Sequence, residues 1–176
     1  MYDLCHMLHI AEADTPELLF RAADLLRDFP PHQHRRYAAH THIVERYFDD
    51  ATYAAELADL PAHYGAPQGF VLLAMEGENA VGAVCLRRLS TEACEMKRLF
   101  VPEGHRGKGV AKALVKALFD AALERNYRVM RLDTGSFMTE ALALYTSFGF
   151  ERILPYYAVD ETLAREFVFM EKKLNK

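Results

Sequence analysis

The chain is poor in the features that mark secreted, membrane and nucleic-acid-binding proteins. Its cysteines number three. Cys5, Cys85 and Cys94 have no metal-ligand spacing and cannot all pair with one another, which excludes a disulfide framework. Cys85 and Cys94 fall in apolar, strand-like segments, so buried free thiols in a reducing compartment are expected. No apolar run approaches the ~20 residues that a membrane helix requires. No basic flank followed by a long apolar core opens the chain, so a signal peptide is not expected and a cytoplasmic location is the default. An excess of positive charge is also missing. The net charge is −4, which excludes a nucleic-acid binder held by a general basic field. There is no repeat, low-complexity tract or domain linker.

What is present is an ordinary globular composition, 51% hydrophobic and 26% charged over 176 residues. That length predicts one domain with a continuous core and no need for metal or disulfide staples. Leu4, His6, Leu8 and Ile10 alternate as in a strand. Asp14 or Thr15 can cap a helix that opens with Pro16 and Glu17 and ends at Pro30 and Pro31. A second, broken helical region is expected over about 35–60. Phe70 to Met75, Ala80 to Leu86 and about 92–101 read as three strands of a meander. An amphipathic helix begins at Val110, and Val129 to Leu132 is a buried strand. A helix from about Thr139 to Ser147 ends at Gly149, and 150–157 and 166–172 read as closing strands. A helical crossover beside a meander predicts a mixed sheet.

Between the third strand of the meander and the helix at Val110 lies Arg106-Gly107-Lys108-Gly109-Val110-Ala111. Glycines allow a tight turn with its N–H groups turned inward, and a helix N-terminus adds positive potential. With Gly104, His105, Arg106 and Lys108 alongside, a phosphate ester is the expected guest. A Walker loop would need Lys-Ser/Thr after the second glycine, where Val110 and Ala111 stand. A dinucleotide turn would need a third glycine at the position of Lys112. The remaining pattern, Arg106-x-x-Gly109-x-Ala111, resembles the coenzyme A pyrophosphate loop of the GCN5-related N-acetyltransferases.

A second resemblance to that family lies in Ala141-x-x-Leu144-Tyr145-x-x-x-Gly149-Phe150, and Cys94 to Val101 looks like the strand that precedes its coenzyme loop. The resemblance implies a single domain over 1–176 with an α/β (α+β) fold, its mixed sheet of about six to seven strands flanked by helices. It places a coenzyme-binding core at about 70–150 and lets the helices at about 14–65 shape the acceptor site. It also implies acetyl transfer from acetyl-CoA to the amine of a small-molecule or amino-acid-like acceptor, by direct attack in a ternary complex. Leu99, Phe100 and Val101 match the backbone that holds the pantetheine arm, and an N–H there can polarise the thioester carbonyl. Tyr145 matches the tyrosine that acts as acid for the departing thiolate. Glu95 is the expected base, with Glu92 as the alternative and an ion pair to Lys97 or an arginine as the structural role.

Met138 departs from the family, in which an asparagine seven positions before the tyrosine contacts the coenzyme. Thr134 and Ser136 are the candidates to replace it. His32, His34, His40 and His42 fall within eleven residues, but a strand would be needed to align such pairs, and no metal is expected. Neither nucleic acid nor membrane is expected as a partner, and a homodimer stays open. The rival readings are a noncatalytic acyl-CoA-binding module on the same fold and a peptide or protein N-acetyltransferase.

Overall fold

In the computed structural model, which describes residues 7–175, the apolar segments form seven strands. They are β1 (Leu8–Glu12), β2 (Gly69–Glu76), β3 (Asn79–Arg88), β4 (Ala93–Phe100), β5 (Val129–Gly135), β6 (Glu151–Ile153) and β7 (Phe167–Lys173). They make one sheet in the order β1-β2-β3-β4-β5-β7-β6. The β4–β5 pair is parallel and all others are antiparallel. The expected mixed sheet is therefore present. Of the first strand's alternating residues, Leu4 and His6 lie outside the described residues, as does Cys5.

The helices divide between the two faces. The crossover from β4 to β5 is α6 (Val110–Glu124), and α7 (Thr139–Ser147) follows β5. Leu114, Val115, Leu118 and Ala122 of α6 pack on Leu72, Val84, Met96 and Leu132 in one core. On the other face lie α1 (Pro16–Arg27), α2 (Phe29–Arg36), α3 (Thr41–Tyr47), α4 (Asp50–Ala58) and α5 (Leu60–Tyr64). Leu26, Phe29, Val44, Phe48 and Leu57 there meet Leu73, Cys85 and Phe100 in a second core. A short α8 (Glu161–Glu166) precedes β7.

Three details correct the sequence reading. Pro30 and Pro31 do not end the first helix. Arg27 does, and the prolines occupy the first turn of α2, where no intrahelical N–H is lost. The helical region that follows is broken by caps: Asp49 accepts from the Thr52 amide at 2.9 Å and Asp59 from the Ala62 amide at 3.1 Å. The strand expected over 150–157 is only Glu151–Ile153. Pro155 cannot donate to a ladder, so the chain leaves the sheet and carries Tyr156 and Tyr157 toward the site. The histidine pairs lie on α2 and around the start of α3, and no metal-ligating group is found among the described residues.

Candidate active site

The site begins with a defect in the sheet. Between β3 and β4, Cys85 pairs with Lys97 but Ala83 pairs with Phe100, so β4 carries one extra residue. Arg98 absorbs it at φ 57°, in the left-handed region that a residue with a Cβ seldom enters. On its other side β4 pairs with β5 only through Ala93, Cys94 and Glu95. The two strands then part, and the backbone of Leu99, Phe100 and Val101 borders the gap. Unpaired main-chain groups at that point are available to a ligand.

The glycine loop closes one end of the gap. Gly107 and Gly109 have φ of 73° and 84°, and a Cβ added to either would meet open space. Gly109 is the N-cap of α6 and provides no side-chain cap, which leaves the helix's first amides free. Arg106 anchors the loop by donating from Nε to the Val101 carbonyl at 2.9 Å. Burial, and next the charge of Arg36, pull the Arg106 pKa down. Arg36 on α2 therefore faces the same anion site, a contribution the sequence did not disclose. Lys108 is exposed and does not border the cavity.

Gap and loop open into a cavity of about 570 Å³. Leu99, Phe100, Val101, Arg106, Gly107, Gly109, Val110, Ala111 and Tyr145 all line it, so the structure brings together most residues singled out in the sequence. Tyr145 is buried, and its hydroxyl makes no hydrogen bond to any described residue. Burial, followed by the nearby Tyr47 and Asp133, raises its pKa above the ordinary phenol value. Met138 also lines the cavity and receives the Thr134 hydroxyl at 3.5 Å through its sulfur. Thr134 is thus engaged with the residue it was expected to replace.

Glu95 is the main correction. It shares the acceptor face of the sheet, yet it is fully buried and does not border the cavity. Its Oε1 accepts from the Tyr156 hydroxyl at 2.6 Å and its Oε2 is bound by Arg87. Both oxygens are thus engaged with side chains inside the protein. Glu92 is exposed in the turn between β3 and β4 and does not line the cavity either. The acidic residue on β5 that does line it is Asp133, at the point where β4 and β5 separate, with its side chain as fully buried as that of Glu95. Asp133 is held by Lys97 Nζ at 2.8 Å, and Lys97 in turn reaches the Tyr47 hydroxyl at 3.0 Å and Glu95 at 3.8 Å. Lys97 thus joins Glu95 to Asp133. Sequence reading missed Asp133 because a single aspartate in a buried strand carries no motif.

Arg98 completes the polar lining. Its Nε and Nη2 grip Glu56 of α4 at 2.8 and 2.7 Å, and its guanidinium stacks among Tyr47, Phe48 and Tyr53. Burial alone would lower its pKa, but the hydrogen bonds it donates to Glu56 reverse that and raise it.

A strand pair opened by a bulge above a glycine-rich helix start defines an acyl-coenzyme A fold. Residues 22–150 match the model of the Acetyltransferase (GNAT) family, and the chain belongs to that family. It is 38% identical over 104 residues to an uncharacterized N-acetyltransferase of Schizosaccharomyces pombe, covering 58% of this chain and 64% of that one. It is 33% identical over 121 residues to the N-acetylaspartate synthetase of Danio rerio, covering 67% of this chain and 42% of the relative. The chain therefore spans less than two thirds of the length of these relatives. Among solved structures, an acetyltransferase of Streptococcus agalactiae superposes with a TM-score of 0.71 at 19% identity, covering 95% and 98% of the two chains. An aminoglycoside 6'-N-acetyltransferase complexed with coenzyme A superposes at 0.68 with 16% identity, covering 96% and 98%. At these identities the likeness is one of fold.

Proposed function

We propose that the protein transfers an acetyl group from acetyl-CoA to the primary amine of a small, amino-acid-like acceptor. The observation that carries this reading is the single cavity shared by the glycine loop, the opened β4 backbone and Tyr145. The loop from Arg106 to Ala111, with Lys108 at its rim, holds the pyrophosphate on the free amides of α6. Leu99, Phe100 and Val101 hold the pantetheine arm along β4, and a main-chain N–H among them steadies the oxyanion. The amine nitrogen forms its bond to the carbonyl carbon, the carbon–sulfur bond breaks, and the electron pair leaves on sulfur.

Three proton movements accompany that exchange: nitrogen loses one proton before it attacks and a second, to solvent, after the bond to carbon has formed, and sulfur gains one. Asp133, on the cavity wall and paired with Lys97, receives the proton that the ammonium loses. Glu95, expected to act directly, acts in this reading at second hand by fixing Lys97 and Tyr156. Tyr145 serves the departing sulfur. From ordinary values of ~10 for a phenol and ~8.5 for a thiol, full transfer to a free thiolate is uphill, and burial steepens it. Tyr145 therefore donates a hydrogen bond as charge builds on sulfur, and solvent completes the protonation.

The test is coenzyme binding together with thiol release. Acetyl-CoA at a hundredfold excess over its dissociation constant should stabilise the protein by about 2.7 kcal/mol. Gly107→Glu should abolish that shift by placing a negative side chain in the cradle, and ATP should give little in either protein. A panel of small amines read by free thiol then separates enzyme from module. Coenzyme binding with no thiol released by any amine would establish the noncatalytic reading.

A further inference from the structure

Four residues of the cavity wall carry a buried polar atom with no hydrogen bond to a described residue: Gln33 Oε1, His105 Nδ1, Arg98 Nη1 and Asp133 Oδ2, of which the last two are of opposite charge and lie where β4 bulges and parts from β5. The Asp133 side chain is fully buried beside Tyr157, and while Oδ1 accepts from Lys97, Oδ2 lacks a hydrogen-bond partner among the described residues. The Arg98 side chain is 10% exposed, and while Nε and Nη2 serve Glu56, Nη1 has no partner. A buried polar atom left unpaired costs ~1–3 kcal/mol, and more on a charged group. Two of opposite charge on the wall of one cavity call for a ligand that satisfies both.

The bulge is what brings them together. In a regular strand Lys97 and Arg98 would face opposite sides of the sheet. The left-handed turn at Arg98 sets both over one ring, with Lys97 Nζ 5.2 Å and the Arg98 guanidinium carbon 5.4 Å from the centre of Tyr47. Asp133 is bonded to that lysine, and the residues that carry the spare acceptor and the spare donor line one cavity. The protein's own charges here already pair off, Glu56 with Arg98, Asp133 with Lys97 and Glu95 with Arg87. A polyamine or an aminoglycoside would bring cations with no anion to meet them, and a simple amine would leave Arg98 Nη1 unpaired. A zwitterion brings one charge of each sign and no net charge.

We infer that the acceptor is a free amino acid, its ammonium donating to Asp133 Oδ2 and its carboxylate accepting from Arg98 Nη1. The inference rests on the acetyltransferase reading above and names its substrate class. Phe137 and Phe167, which also line the cavity, leave an apolar wall for the amino-acid side chain.

The experiment compares kcat/KM, with saturating acetyl-CoA, for free amino acids and for the same molecules without the carboxylate, such as leucine against isoamylamine and phenylalanine against phenethylamine. The amino acid should be favoured by roughly a hundredfold, as expected when a buried charge loses its partner. Arg98→Met combined with Glu56→Met removes both members of the buried pair, so no lone charge remains. In that variant the ratio should fall toward one while the acetyl-CoA thermal shift persists. If the double variant does not fold, the wild-type ratio alone decides. Equal rates for amine and amino acid, no amino acid acetylated by coenzyme-bound protein, or an unchanged ratio in a folded double variant would each overturn the inference. Failure of wild type to bind acetyl-CoA would instead remove the acetyltransferase reading, and the inference with it.

Discussion

Single atoms separate the roles of the site residues. Tyr145→Phe removes only a hydroxyl that makes no hydrogen bond to a described residue, so stability should change little. If that hydroxyl meets the departing sulfur, turnover should fall by roughly ten- to a thousandfold while acetyl-CoA still binds. Wild-type turnover in this variant, with chemistry rate-limiting, would take Tyr145 out of the mechanism. The two carboxylates are told apart by pH. Asp133→Asn should depress turnover most at neutral pH, and its defect should shrink as rising pH provides unprotonated amine. Glu95→Gln should give a smaller loss with a flatter profile, because Glu95 reaches the cavity only through Lys97 and Tyr156. A steeper pH-dependent loss in Glu95→Gln than in Asp133→Asn would restore Glu95 as the base.

At the scale of elements, the glycine loop was readable because its backbone geometry is local. Glycines at Gly107 and Gly109 and a helix start at Val110 follow from neighbouring residues alone. The gap between β4 and β5 was readable only through a resemblance, since strand separation leaves no mark on composition. The polar wall of the cavity was hidden because it is assembled from α2, α3, α4, β4 and β5, and no spacing rule links Glu56 to Arg98 or Lys97 to Asp133. The burial of Glu95 was hidden for a related reason: it depends on Arg87 and on Tyr156, which lies 61 residues further along the chain. Helix α2 illustrates the same limit. His32 on α2 has a lowered pKa, through burial and then through the charges of Arg106, Arg35 and Arg36. A histidine depressed in this way stays neutral in the fold, so its contribution to stability is present above ~6.5 and is lost as pH falls through the folded value. Phosphates bound beside Arg106 should offset those cations and raise the His32 pKa. An imidazole titration followed by NMR, with and without coenzyme A, measures this. An unmoved or lowered pKa would displace the pyrophosphate from the neighbourhood of Arg106.

At the scale of the whole molecule, the buried pair of Glu56 and Arg98 ties the layer of N-terminal helices to the bulged strand. Tyr64 donates its hydroxyl to the same Glu56 oxygen that Arg98 Nε holds, at 2.8 Å in each case. Burial would raise the Glu56 pKa, but the hydrogen bonds and charge of Arg98 outweigh it and hold the carboxyl below its ordinary range. A carboxylate depressed in this way contributes stability above its unfolded pKa of ~4.3, and that contribution is lost as pH falls through the folded value. Glu56→Gln keeps the shape and leaves the Arg98 charge buried and uncompensated, which should cost about 3–5 kcal/mol in urea unfolding near neutral pH. Asp24→Asn, which breaks the exposed pair with Arg27, should cost at most about 1 kcal/mol. The Glu56→Gln penalty should also shrink at acid pH, because the wild-type protein then surrenders the same charge. A penalty below about 1 kcal/mol would count the pair as incidental to the fold, and one that stayed constant from neutral to acid pH would show that the cost comes from packing and not from the charge on Glu56.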